Sequence, residues 1–287
     1  MTFSIAARDP ESGDFGVAVQ SKFPAVGAAV PWVRADSGAI ATQAWANLSY
    51  GPDGLTLLHA GKSADEVIES LTAADDGRDH RQIGVVDLKG KAAAFTGSAC
   101  MDWAGHVVDD GFTCQGNILA GKPVVTAMAD AYRSSAGKFP ERLLAALEAG
   151  QREGGDKRGQ QSAALYVARE KGSYGNWLDR YIDLRVDDHK APIAELGRLL
   201  RLHRLYFPGE TPQEAVAVDA TIAAEMGKHL TGLGYANAAK PTSMADLAED
   251  FGAWVAVENL EDRMLEGNQV DRVVLDFLRE KAAGQER

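Results

Sequence analysis

The order of segments in the sequence predicts an α+β protein built on antiparallel sheets. Short β-type runs come in pairs around Gly- and Asp-rich turns, and helical patterns come in groups between them. The strict strand–helix alternation of a parallel sheet is absent. Two such sheets face to face, with helices outside, make a four-layer αββα sandwich. Residues 209–287 read as a small all-α domain behind it.

Thr2 to Arg8 is a short apolar-rich strand, Asp9 to Asp14 is turn chemistry, and Phe15 to Ser21 returns as a hairpin partner. Ala28 to Arg34 and Ala39 to Ala44 form a second pair around Ala35-Asp36-Ser37-Gly38. A helix over Asp53 to Ala60 stops at Gly61, whose missing Cβ suits a left-handed C′ position. Ser63 and Glu66 have capping-box spacing, and Val67, Ile68 and Leu71 share one face of the helix that follows. Strands resume over Gln82 to Leu88, Lys91 to Thr96, His106 to Asp109 and Phe112 to Ile118. Pro123 and Pro140 sit where helices begin, since first-turn positions need no N–H donor. Val124, Val125, Met128 and Tyr132 give the first of these helices its buried stripe, and Leu143, Leu144 and Leu147 the second. The Gly-rich loop Gly154 to Gly159 leads to strands over Ser162 to Ala168 and Arg180 to Val186, then a helix marked by Ile193, Leu196 and Leu200. Pro208-Gly209 and Thr211-Pro212 then punctuate the chain, which predicts domains 1–208 and 209–287. Beyond them Pro212 to Leu233, Ser243 to Glu258 and Val270 to Lys281 read as helices.

The chain of 287 residues is 45% apolar and 25% charged, enough for a large core. Its net charge of −11 is uneven, because residues 209–287 hold 15 acidic and 7 basic side chains, a net of −8. There is no basic stripe, so nucleic acid is not the expected partner, and the acidic end repels anionic membrane surfaces. No apolar run has membrane-spanning length, and the start has no basic or apolar signal-peptide region, so a cytoplasmic protein is expected. Cys100 and Cys114 form no disulfide framework; they are core hydrophobes or a pair across adjacent strands.

Thr2 is the first candidate for chemistry. If Met1 is removed, Thr2 carries a hydroxyl nucleophile and a free α-amine, which together form a minimal acyl-transfer catalyst. The same dipeptide also opens many proteins with no such activity. Gly116 to Lys122 has the spacing of a phosphate-binding loop, but Pro123 stands where Ser or Thr would hold magnesium and removes a backbone donor. The six histidines show no metal-binding spacing, and no Gly-x-Ser-x-Gly elbow exists, so neither a metal nor a cofactor is expected. Gln43 to Asn47 ends a strand with amide and aromatic side chains, suited either to a pocket or to loop packing. Arg158 and Gln161 flank the Gly-rich loop and either hold a carboxylate or are solvated.

Several phrases together resemble a known family. They are Thr2 to Pro10, Phe15 to Lys22, Ala41 to Ala44, Gln115 to Leu119, Arg158 to Leu165, and Asp183 to His189. These are similar to a bacterial family of unknown function classed with the N-terminal-nucleophile (Ntn) hydrolase-like proteins, over roughly residues 1 to 208. The resemblance implies the αββα sandwich, cleavage of an amide bond in a small amide or peptide, and a homo-oligomer. It places the nucleophile at Thr2. Proteasome-like members carry a lysine on a following strand; the stretch Val30 to Val33 has none, and Lys22 is the nearest candidate. Ser21 is an alternative hydrogen-bond partner. Asn47, or backbone N–H groups near Gln43, would stabilise the oxyanion, while Ser4, Ser21, Gln43, Arg158 and Gln161 would contact substrate. A competing expectation is a non-catalytic binding or assembly module whose helical end recruits a partner. Val257 to Arg263 and Val270 to Arg279 resemble a small peptidoglycan-binding domain, although a net of −8 is a poor complement to an anionic wall polymer.

Overall fold

A computed structural model describes residues 2–207, 212–235 and 240–285. Met1 and the Pro208-Gly209 and Thr211 punctuation fall outside the described residues. The architecture is mixed α and β, with several antiparallel sheets and a helical C-terminal region. Contacts divide the chain into two compact units, Met1–Arg198 and Leu199–Arg287. This division falls ten residues before the boundary the punctuation predicts, inside helix α5 (Pro192–Tyr206).

In the first unit, β1 (Thr2–Arg8) and β2 (Phe15–Ser21) form a hairpin with Thr2 opposite Ser21. Together with β7 (Gly105–Asp109), β8 (Phe112–Asn117), β9 (Ser162–Ala168) and β10 (Arg180–Val186) they make a six-stranded sheet, ordered β10-β9-β2-β1-β8-β7. A four-stranded sheet follows chain order: β3 (Pro31–Arg34), β4 (Gly38–Ala44), β5 (Arg81–Asp87) and β6 (Ala92–Thr96). Helices α3 (Pro123–Ser134) and α4 (Phe139–Arg152) pack on β1, β2 and β8. Helices α1 (Tyr50–His59) and α2 (Ala64–Ala73) pack on the four-stranded sheet, with the predicted capping box of Ser63 and Glu66 in place.

Strand alternation sorts the core. On β1, Phe3 faces α4, where a Cβ on Gly150 would come within 3.3 Å of its ring. Ala6, with Val17 and Val19 of β2, instead joins Ala39, Ala41 and Val86 in a buried cluster between the sheets. Gly84 of β5 allows a close approach there, since a Cβ would lie 2.3 Å from Gln115 Oε1. The strand predicted from Ala28 begins only at Pro31, because Val26–Ala28 coil into a 3₁₀ turn behind the left-handed Ala25.

The second unit is not all-α. The helix expected from Pro212 is preceded by β11 (Ala215–Ala217), which pairs with β12 (Gln269–Asp271). Helix α6 (Ala220–Gly232) starts only after Asp219, whose carboxylate caps the N–H groups of Thr221 and Ile222 at 2.9 Å each. With α7 (Met244–Glu258) and α8 (Arg272–Gln285) it encloses a core containing Leu247, Trp254 and Leu278.

Candidate functional site

The register of the six-stranded sheet brings Thr2 beside Ser21 on one neighbour and Asn117 on the other. Directly opposed residues project to the same face, so all three side chains point toward the four-stranded sheet. They meet Gln43 from the end of β4 at one end of the first unit, where the chain leaves a cavity of about 520 Å³. Thr2, Ser21, Gln43, Asn117 and Arg158 line it, with Phe23, Val26, Val30, Trp45, Leu48 and Met101 supplying apolar wall. Thr2 Oγ1 lies 3.0 Å from Ser21 Oγ.

Beneath the cavity is a buried amide network. Ser4 Oγ donates to Gln43 Oε1 at 2.7 Å and accepts from Gln115 Nε2 at 2.6 Å. Gln82 Oε1 accepts from both Gln43 Nε2 and Asn117 Nδ2 at 2.9 Å. Gln82 Nε2 in turn donates to Thr96 Oγ1 at 2.9 Å and Gly116 O at 2.8 Å. The Thr96 hydroxyl also lies 2.8 Å from His106 Nδ1. Burial pushes the His106 pKa down.

The loops leaving the sheets at this end are conformationally unusual. Ala44 (φ 71°) and Ile118 (φ 53°), both lining the cavity, and nearby Ala25 (φ 50°) occupy the left-handed region without being glycine. For β-branched Ile118 this is a strained state, of the kind that surrounding structure must enforce and that gathers at functional sites. The backbone is pinned accordingly: Ile118 N donates to Met101 O at 2.9 Å, and Trp45 N to His80 O at 3.2 Å.

Other predicted site residues lie elsewhere. Lys22 does not line the cavity; its Nζ reaches Gln160 O at 3.3 Å on the exposed surface, and its backbone N–H donates to Asp156. It lies in a bend just past the end of β2, outside the register that sets Ser21 opposite Thr2. Asn47 is also outside, donating to Asp75 Oδ2 at 3.3 Å and accepting from Ser49 N at 3.1 Å. Gln161 donates to Asp188 Oδ1 at 3.2 Å, and Ser4 lies under the cavity floor within the network. Arg158 is in the wall, its guanidinium 3.5 Å from the buried Asp156 carboxylate. Sequence reasoning missed Asn117, Gln82, Gln115 and His80. For the three amides the available signal was their type at strand positions; His80, at the end of a 3₁₀ turn, carried none.

The Trp45–Ser49 loop has its own anchor. Arg81 Nε donates to Asp75 Oδ2 at 2.9 Å, and Arg81 Nη1 to the Trp45 carbonyl at 2.6 Å. Asp75 also accepts from the Tyr50 hydroxyl at 3.0 Å. The Arg81 hydrogen bond holds the Asp75 carboxyl well below its usual range, whereas burial, reinforced by Asp75, pushes the Tyr50 phenol up. Cys100, in the cavity wall, is a thiol raised by burial; neither it nor Cys114 forms a disulfide. Among the described residues no group of acidic, histidine or cysteine side chains is arranged to hold a metal ion. Among the described residues no helix is long and apolar enough to cross a membrane.

Residues 206–278 match a family described as “Putative peptidoglycan binding domain”. A search of curated proteins finds no match. Among solved structures, the chain is similar to the crystal structure of a DUF1028 protein from Silicibacter pomeroyi. The two are 34% identical with a TM-score of 0.65, over 71% of this chain and 89% of that one. Residues 2–196, which contain the whole Thr2 cavity, match the family of unknown function DUF1028, and the chain is a member of that family.

Proposed function

We propose that the first unit is an amidohydrolase of the Ntn type, acting on a small amide or peptide with Thr2 as nucleophile once Met1 is removed. The observation that carries this reading is Thr2 Oγ1 in the wall of the cavity, 3.0 Å from Ser21 Oγ. The succession of α1 and α2, the four-stranded sheet, the six-stranded sheet, then α3 and α4 supports the αββα layering of that class.

In this reading the Thr2 α-amine, with an unperturbed pKa of roughly 7.7–8.0, takes the Oγ1 proton as the oxygen attacks the substrate carbonyl. The C–N bond breaks, the leaving amine takes that proton, and water hydrolyses the resulting threonyl ester. Ser21 orients Oγ1 in place of the displaced Lys22. Asn117 spends one amide hydrogen on Gln82 Oε1 and keeps a second for the oxyanion, in place of Asn47. The apolar wall suits an acyl group, and Arg158 a carboxylate at its edge.

The test is intact-mass measurement of the protein purified from its native cells, followed by turnover of an amide panel by wild type and Thr2→Ala. Loss of one Met, with turnover that Thr2→Ala abolishes, is expected. Retained Met1, or equal activity of the two proteins, overturns the assignment. One observation favours the competing binding-module reading: Lys22 Nζ is engaged at Gln160 O, and among the described residues no lysine lines the Thr2 cavity. That reading predicts ligand binding in the cavity that Thr2→Ala preserves, without turnover.

A further inference from the structure

The opposite end of β1 carries a second cavity, of about 340 Å³, lined by Arg8, Lys89, Arg133, Arg142 and Tyr132 among others. Its volume is inside the roughly 300–1,000 Å³ span of small-molecule sites. At the strand rise of about 3.3 Å per residue, Arg8 lies about 20 Å from Thr2, so the two cavities are separate.

Three solvent-inaccessible polar atoms of the lining residues have no hydrogen-bond partner among the described residues: Arg8 Nε, Arg142 Nε and the Tyr132 hydroxyl. Tyr132 is only 3% exposed. Buried donors are nearly always satisfied, so three unsatisfied ones around one cavity call for an acceptor that the chain itself does not supply. The charge points the same way. Arg133 is engaged with Asp109 and Asp130, and Arg142 meets Asp9 only at 3.4 Å. No carboxylate contacts Arg8 or Lys89 among the described residues. Four cationic side chains line the cavity; Arg133 and Arg142 are paired with carboxylates, so Arg8 and Lys89 are the two that an added anion would meet uncompensated. The donors are also held in place. The Arg142 guanidinium stacks 4.4 Å from the Tyr132 ring centroid, and Arg8 lies beside the turn glycines Gly13 and Gly90, where added Cβ atoms would touch its side chain at 3.7 Å.

We propose that this cavity is a second ligand site, taking the phosphate or carboxylate group of a small molecule between the Arg8 and Arg142 Nε–H groups and the Tyr132 hydroxyl. An anion there receives charge-assisted hydrogen bonds from preorganised donors. The site needs nothing from the Thr2 cavity and stands whether or not Thr2 is a nucleophile.

The test is ligand-observed NMR on the full chain: 31P line width for inorganic phosphate and saturation transfer for acetate, each against sodium chloride at matched ionic strength. Saturable binding of at least one anion is expected; phosphate alone identifies a phosphate ligand, acetate alone a carboxylate. Arg8→Gln should abolish it. Tyr132→Phe, which removes one oxygen and keeps the ring, should weaken it about tenfold. Thr2→Ala should leave it unchanged. Absence of saturable binding of either anion, or binding that Tyr132→Phe leaves intact in a protein of wild-type melting temperature, overturns the proposal.

Discussion

Ser21 Oγ and Thr2 Oγ1 stand 3.0 Å apart because the β1–β2 register places the two residues directly opposite each other. If Thr2 is the nucleophile, Ser21 is the side chain that fixes the direction of its lone pairs. Ser21→Ala should then lower kcat about tenfold, the scale of one hydrogen bond, with little change in KM. Steady-state kinetics on whichever amide the wild type turns over would read this. A rise in KM at constant kcat would mean that Ser21 binds substrate instead.

Asp75 and Arg81 hold the Trp45–Ser49 loop against the cavity, and their side chains are largely buried, at 12% and 17% exposed. Replacing Asp75 by Asn should cost about 2 kcal/mol at neutral pH, less than for a fully enclosed pair. The pH dependence has a definite sign. The folded-state pKa of Asp75 is depressed, chiefly by the Arg81 hydrogen bond, so its contribution is fully present above the unfolded value of about 3.9 and is lost as pH falls below it. Urea unfolding of wild type and Asp75→Asn should differ at pH 7 and converge as pH drops below about 4. A constant gap would place the effect in packing.

Gln82 accepts from Gln43 and Asn117 with a single oxygen, so its loss strands the buried Asn117 donor and leaves Gln43 Nε2 only the longer contacts to Thr2 O and Gln115 O at 3.4 Å. Gln82→Leu should destabilise the protein by about 3 kcal/mol, at the upper end for unsatisfied buried groups. Gln82→Glu keeps the acceptor but forfeits the donor bonds to Thr96 and Gly116, and introduces a charge between the sheets. Both should lower the urea midpoint. A Leu variant as stable as wild type would show that the network is not structurally required.

Local signals in the sequence account for much of this architecture. The hairpin of β1 and β2 announces itself through the Asp9 to Asp14 turn, and α2 through its capping box. What was not legible is long-range. Ala215–Ala217 is a strand only because Gln269–Asp271 pairs with it, more than fifty residues later, and nothing near Pro212 records that. The same holds at the site. Thr2, Ser21 and Gln43 stand out by type and position, whereas Gln82 and Asn117 acquire meaning only when one sheet lies on the other. Lys22 misled through proximity, since the chain bends away one residue after β2 ends and its ammonium reaches Gln160 O instead.

Arg263 and Asp271 test the second unit independently. They form an ion pair at 3.0 Å with side chains 1% and 0% exposed. Arg263 further donates Nε to Leu205 O at 3.0 Å and Nη2 to Arg204 O at 2.5 Å, tying the start of the unit to the segment before β12. Removing the guanidinium leaves a buried carboxylate and two carbonyls without their donor, so Arg263→Met should destabilise this unit by about 3–5 kcal/mol. The mutant should expose sites to limited proteolysis in residues 199–287 while residues 2–198 stay resistant, since the two are separate contact units. The match of residues 206–278 to a peptidoglycan-binding family adds a functional readout. If that unit binds the wall polymer, wild type should sediment with insoluble peptidoglycan and Arg263→Met should remain in the supernatant. Wild type left in the supernatant would assign the helical unit a role other than wall recognition.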